Sequence, residues 1–334
     1  MNSEEPYSLE LGLDCKKRLH VIPEGFQLEL EGNVLMVRAG AQISWKSPLE
    51  LLNLIWEISI DEDGNPCEVV EAKVNPIKRA GFRGRSVLRR VLGRGPLLAI
   101  TVAKGRTLEP RNHAKLFSEM VKMGLDIGID PLHAPSHEAY ERAYHIEEEI
   151  DNFKEEGKRV LYVYNIPSNQ ELIDKMVSMG VKAFRIDAPL SLKGFDDVSE
   201  SKVLLFLTRP YLLPTVGMKA YSLLTPFGFD VIERPSSKRG KDMSHFDQLI
   251  KGEGSLPMTS PDITPRNLDY NMSDLDVIIW ADVFAYAHPA GVLPGVKASK
   301  EMIDSYLRGE NLLAVARRVE EVGQAVEKWG LELR

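Results

Sequence analysis

The chain has 334 residues, 43% hydrophobic and 27% charged, enough apolar mass for one large domain or two ordinary ones around a buried core. Its 42 basic residues face 49 acidic ones, a net charge of −7, which argues against a nucleic-acid partner because phosphate backbones reward a basic surface. No apolar run reaches the roughly 18 residues of a membrane span, and the acidic start "MNSEEPYSLE" shows no secretory signal, so a cytoplasmic protein without membrane contact is expected.

Up to about residue 85 the signals are mixed. "YSLELGLDC", "FQLELEGNVLMVRAG" and "CEVVEAKV" alternate apolar and polar residues, as half-buried strands do. Between them "SPLELLNLIWEIS" has helical spacing, with Ser47 as N-cap and Pro48 at the first helical position. Residues 1–85 are therefore expected to form a small α+β domain. Cys15 and Cys67 stand far apart without a metal-ligand pattern, and two reduced thiols are expected. Lys78–Arg94, "KRAGFRGRSVLRRVLGR", is the one basic cluster. Phe82 is its only aromatic residue, which favours a packed linker over a nucleic-acid contact.

From about residue 96 short apolar runs recur, each followed by a helical or turn-rich stretch. The runs are "PLLAITVA", "LDIGID", "RVLYVYNI", "VKAFRIDAP", "KVLLFLTRP", "FDVIERP", "SLPMTSPD" and "LDVIIWADVF". Most are continuous rather than alternating, which suits parallel strands buried on both faces. Among the intervening segments, "SNQELIDKMVSMG" shows a Ser168 cap and a terminal Gly180. Eight strand–helix units in about 240 residues predict a (β/α)8 TIM barrel over residues 86–334. A doubly wound open sheet is the second choice, weakened by the lack of G-x-G-x-x-G after the first run. In the tail, Leu312, Val315, Val319, Val322, Val326 and Trp329 fall on one face of a single amphipathic helix.

Several stretches resemble the large subunit of ribulose-bisphosphate carboxylase (RuBisCO) and the RuBisCO-like proteins. "HPAGVLPGVKA" is similar to that family's HPxGxxPGA. "GFRGRSVLRRVLGRGPLLAITVAKG" resembles its bridge into the first barrel strand, and "LYVYNIPSNQELIDKMVSMGVKAFRID" its strand 3–helix–strand 4 passage, with Asn165 and Asp187 in matching places. The resemblance implies a small N-terminal α+β (ferredoxin-like) domain before the barrel. It also implies a homodimer in which one subunit's N-terminal domain covers the partner's barrel mouth, and a phosphorylated sugar substrate with a carbamylated lysine and magnesium.

At the chemical positions the chain departs from that family. Ile129 stands for the carbamylated lysine, Asp130 for one acid, and Pro131 and Leu132 for the next two. A side chain without an amine forms no carbamate, and Pro and Leu offer no oxygen to a hard cation that wants six. The family's K-P-K lysines fall on Ala103 and Gly105, with Lys104 between them. Thr208 replaces a histidine, Arg209 keeps the phosphate-binding type, and Gly240 and Lys241 preserve a Gly-Lys pair after one insertion. Pro261 lacks the N–H that a phosphate would use, Asp262 and Asp282 would repel one, and Ile58 takes the place of the asparagine that reaches the partner's site. No cofactor is expected, magnesium included, and no metal ligands are assigned.

In a barrel the residues at strand C-terminal ends face the functional side. Lys104, Asp130 and Asp187 are the catalytic candidates; Arg209, Lys238, Lys241, Asn165 and His133 are the substrate-binding candidates. Asp130 can equally cap a helix or pair with a cation, Arg209 can simply pair with Glu233 or Asp187, and His288 in its turn suits a structural hydrogen bond. Two functions stay open. One is a RuBisCO-like protein lacking carboxylase activity that acts as an enolase, isomerase or aldolase on a small anionic, phosphorylated carbonyl compound. The other is a non-catalytic RuBisCO-like scaffold that binds a metabolite or a protein.

Overall fold

The computed structural model describes residues 8–331 except 17–18, 20–24, 40–46, 64, 76–77, 189, 214–215, 238–242 and 273–274. Lys238 and Lys241 thus lie outside the described residues. The N-terminal part is an antiparallel sheet in the order β2-β3-β1-β4, with β1 Ser8–Asp14, β2 Phe26–Glu31, β3 Val34–Ala39 and β4 Glu68–Asn75. Alternation in β1 sends Leu9, Leu11 and Leu13 to one face, where they meet Leu51, Ile55 and Ile58 of helix α1, Pro48–Ile58. Ser47 caps α1, its hydroxyl accepting from Glu50 N. The single alternating run 26–40 is a hairpin. Glu31 pairs with Val34 across Gly32 and Asn33, and Gly32 takes φ +64°.

The expectation of two reduced thiols is overturned. Cys15 and Cys67 form a disulfide, with Cα atoms 4.6 Å apart. Asp14 pairs with Glu68 in the β1–β4 ladder, so the two cysteines that extend it stand opposite each other. A separation of 52 residues along the chain hides that adjacency.

Each of the eight apolar runs supplies one parallel strand of a closed barrel: β5 Leu97–Thr101, β6 Ile127–Ile129, β7 Leu161–Asn165, β8 Ala183–Asp187, β9 Leu204–Thr208, β10 Val231–Arg234, β11 Leu256–Thr259 and β12 Ile278–Trp280. Closure is between β12 and β5, where Ile278 pairs with Leu97 and Trp280 with Ala99. The interior is filled by Ala99, Ile127, Ile129, Val163, Phe206 and Met258, among others, so the barrel is a packed core and not a pore.

The basic cluster closes the other end. Helix α2, Gly84–Leu92, inserts Leu88 and Leu92 into the same interior cluster. Arg85 and Arg89 pair with Asp276, and the buried Arg79 pairs with the buried Asp230. Asp230 also accepts from Arg83 N and Gly84 N at 2.8 and 2.6 Å, capping α2 from outside its own sequence.

Around the barrel run helices that include α3 Pro110–Lys122, α4 Ala139–Glu155 and α5 Gln170–Met179. The cap of α5 is Asn169, whose side chain accepts from Glu171 N, rather than Ser168; Gly180 ends the helix as expected, at φ +123°. The tail is not one helix. It breaks at Val319 (φ −112°, ψ 112°) into Leu312–Arg318 and Glu320–Trp329. Among the described residues no helix is long and apolar enough to cross a membrane.

Candidate functional site at the barrel mouth

A cavity of about 260 Å³ opens at the C-terminal ends of the strands. Two backbone turns shape it. Ala103 after β5 and Arg209 after β9 are the non-glycine residues with positive φ among those described, at 56° and 55°; Arg209 lines this space, and Ala103 directly precedes Lys104, which does. Left-handed backbone costs a residue with a Cβ of order 1 kcal/mol and persists where surrounding contacts fix it. The turn at Ala103 presents Lys104, whose Nζ lies 3.1 Å from Asp282 Oδ2. Asp282 is buried and its other oxygen accepts from Thr101 N (2.7 Å) and Trp280 Nε1 (2.9 Å). Tyr286 OH ties the turn down, donating to Thr101 O and accepting from Lys104 N.

On the facing wall, Asp187 at the end of β8 accepts from Arg209 Nε (2.6 Å) and Nη2 and from Thr208 Oγ1 (3.2 Å). Arg209 N donates to Glu233 Oε2, 2.9 Å away, and Tyr211 OH donates to the other oxygen. Glu233 lies behind Arg209 and does not line the cavity. Burial pushes its carboxyl up to about 7, against the stabilising hydrogen bonds from Arg209 N and Tyr211.

The structure brings Lys104, Asp187, Arg209 and His133 around one space. His133 sits at the lip, with Nε2 3.0 Å from Arg106 O. Asn165 borders an adjoining hollow and bridges two elements: its Nδ2 donates to Pro131 O (2.7 Å) and its Oδ1 accepts from Arg185 Nη2 (2.5 Å). Asp130 is placed elsewhere. Ile127 and Ile129 face the interior, so the strand period turns Asp130 outward, toward α4. There it accepts from Arg142 Nε and Nη2 (3.0 and 2.8 Å) and from Tyr162 OH (2.9 Å), and is fully buried. His288 holds a turn, its Nε2 against Glu321 O and its Nδ1 accepting from Ala290 N.

Sequence reasoning missed Arg185, Thr101 and Trp280, all of which line the cavity. The signal for Arg185 was present: an arginine in the middle of "AFRID", an otherwise apolar strand.

The residues at the family's metal loop do not fit a magnesium ion. Ile129 is packed in the barrel interior, Pro131 and Leu132 offer no side-chain oxygen, and the remaining carboxylate, Asp130, is committed to Arg142. Among the described residues no group of three or more His, Cys, Asp or Glu is arranged to hold a metal.

The fold and the mouth together place the chain among known proteins. An archaeal RuBisCO superposes with a TM-score of 0.77 over 100% of this chain and 98% of its own, at 14% identity. A RuBisCO-like protein from Alicyclobacillus acidocaldarius superposes with a TM-score of 0.69 over 97% of this chain and 100% of its own, at 18% identity. In sequence, the 2,3-diketo-5-methylthiopentyl-1-phosphate enolase of Exiguobacterium sibiricum is 25% identical over 210 residues, 54% of this chain and 52% of that protein. The chain has the fold shared by RuBisCO and the RuBisCO-like proteins. No family model matches it. Its match spans about half the length of the curated relative, while the barrel and the N-terminal sheet carry the whole RuBisCO fold. Solved structures of this fold include dimeric and octameric RuBisCOs.

Proposed function

We propose that this chain is a RuBisCO-like enzyme without carboxylase activity that enolises a small anionic carbonyl compound. The observation that carries the reading is the cavity, which Lys104 and Asp187 line from β5 and β8. Each is held by a partner, Asp282 and Arg209. In this reading Asp187 takes a proton from the carbon next to the carbonyl, the C–H electron pair becomes the new C=C bond, and the carbonyl π pair moves onto the oxygen. Lys104, positioned by Asp282, donates a hydrogen bond to that developing oxyanion. Arg209, Asn165 and His133 orient the substrate, and Asp130 serves the wall. The relative named as an enolase supports this class of reaction. The unsuited metal loop supports the loss of carboxylation, since that chemistry needs the cation.

A non-catalytic scaffold would be favoured by a mouth filled with its own side chains. Phe227 and Phe229 instead pack on Phe195, and of "WADVFAY" only Trp280 and Asp282 border the cavity, which stays open. A homodimer closing the mouth belongs to the same reading.

The test is solvent deuterium exchange, followed by NMR, over a panel of carbonyl compounds that bear a phosphate or a carboxylate. Exchange is expected into at least one compound, falling roughly 100-fold in Lys104→Met. Absence of exchange across the panel, or carbon dioxide fixed on ribulose bisphosphate by the purified protein, would sink the proposal.

A further inference from the structure

We propose that Arg185 is the anion anchor of the mouth cavity and that the group it takes is a monoanionic carboxylate, the acid end of a short 2-oxo acid. The 2-oxo part rests on the enolising reading above; the carboxylate anchor does not.

Arg185 occupies the inward face of β8 between Ala183, in the barrel interior, and Asp187, at the rim. Its residue is 3% exposed, and it forms part of the wall of both hollows at the mouth. Among the described residues one side-chain hydrogen bond holds it, from Nη2 to Asn165 Oδ1, and its buried Nε has no partner. Guanidinium groups that deep are ordinarily paired, because an uncompensated buried cation costs several kcal/mol.

The acids around it are engaged with other cations. Asp187 is paired with Arg209, Asp130 with Arg142 and Asp282 with Lys104. Arg185 is thus left without a carboxylate of its own next to an open cavity. A ligand carboxylate supplies that partner with a single charge. A phosphate dianion would bring a second negative charge beside Asp187 and Asp282. The carboxylate is also planar and matches one edge of the guanidinium fork. The rest of the cavity suits a short, mostly apolar body. It is about 260 Å³, with Pro131 and the indole of Trp280 on its walls. The indole N–H is already spent on Asp282 and Thr101, so the ring offers its apolar surface.

The probes are pyruvate and inorganic phosphate, titrated calorimetrically into the full chain and into Arg185→Met and Arg185→Lys. Pyruvate is expected to bind the parent protein more tightly than phosphate does. Its affinity should fall roughly 10- to 100-fold in Arg185→Met, which loses a charge-assisted contact, and by less in Arg185→Lys, which keeps the charge without the fork. Without ligand, Arg185→Met should melt no lower than the parent, since it removes an unpaired buried charge. Phosphate binding tighter than pyruvate, no pyruvate binding, or equal pyruvate affinity in all three proteins overturns the anchor. Deuterium entering the pyruvate methyl group separates the two proposals. Binding lost in Arg185→Met but without exchange in the parent keeps the anchor and removes enolisation of this acid. Exchange that persists unchanged in Arg185→Met keeps enolisation and removes the anchor.

Discussion

His113 is buried between α3 and the barrel wall, its Nε2 2.6 Å from the Tyr162 hydroxyl. Tyr162 donates its proton to Asp130, so its oxygen accepts from His113, which requires the neutral Nε2–H tautomer. Burial pushes the imidazole down from 6.5 to about 4, the attraction of Asp130 opposing. Between those values the unfolded chain binds a proton that the native protein refuses, so this residue makes stability fall as pH drops from 6.5 toward 4. Glu147 and Glu233, pushed up to about 7 by burial, work with the opposite sign: their contribution is present below the carboxylate's ordinary 4.5 and is lost as pH rises toward 7. The variant His113→Gln isolates the histidine. Between pH 7 and pH 5 the parent should lose roughly 2 kcal/mol more than the variant in urea unfolding; parallel losses would count against a neutral buried imidazole. At this scale the sequence marked which strand ends carry charge but not what each charge meets. Lys104, Asp187 and Arg209 were legible as rim residues. Asp130 was legible as an acid, yet only the inward face of Ile127 and Ile129 decides that it points outward. Arg185 went unread because a buried arginine gains its meaning from the acids it lacks.

Elements were read most surely where burial is two-sided. Eight continuous apolar runs became eight barrel strands, because parallel strands inside a ring of helices leave no face for polar side chains. Boundaries that rest on backbone torsions were less legible. The tail keeps its apolar face through Leu312, Val315, Val322 and Ala325 although the helix breaks at Val319, since both pieces bury the same side. Gly323 permits the return: a Cβ there would lie 2.7 Å from Ala316 O. The disulfide is the element-scale contact that no local pattern announces. It links the end of β1 to the start of β4 across 52 residues, a loop whose closure in the unfolded chain is worth about 4 kcal/mol in the chain-entropy account. The double variant Cys15→Ala/Cys67→Ala should lower unfolding free energy by about 2–4 kcal/mol in urea. The parent protein in excess reductant should behave like the variant. Equal denaturation midpoints for oxidised parent and variant would show that the crosslink does not stabilise the N-terminal sheet.

Across the whole molecule, the segment that leads out of the N-terminal sheet is anchored in the barrel floor by one buried ion pair. Arg79 is surrounded: its Nη2 reaches Asp230 and Val203 O, its Nε donates to Gly228 O (2.9 Å), and its Nη1 to Ser201 O (3.3 Å). Asp230 in turn accepts from Leu205 N (2.8 Å) and from the first amides of α2. A single carboxylate thus joins the linker, the plug helix and the edge of β9, from residues 151 apart in the chain for the ion pair itself. That distance is why "KRAGFRGRSVLRRVLGR" reads as a basic patch in sequence and as a plug in space. Asp230→Asn keeps the shape but leaves Arg79 charged and buried without a counter-ion, and presents amide protons to backbone donors. The expected cost is about 3–5 kcal/mol, the range for breaking a buried pair from one side. Arg79→Met/Asp230→Leu removes both charges and should recover much of that loss, because well-packed apolar groups replace buried pairs at little net cost. The four proteins form a double-mutant cycle in urea unfolding, with Arg79→Met as the fourth corner. A coupling energy near zero would mean that the plug is held by Leu88 and Leu92 packing alone. A coupling of several kcal/mol would make the pair the latch that holds the linker and the start of α2 in the barrel floor.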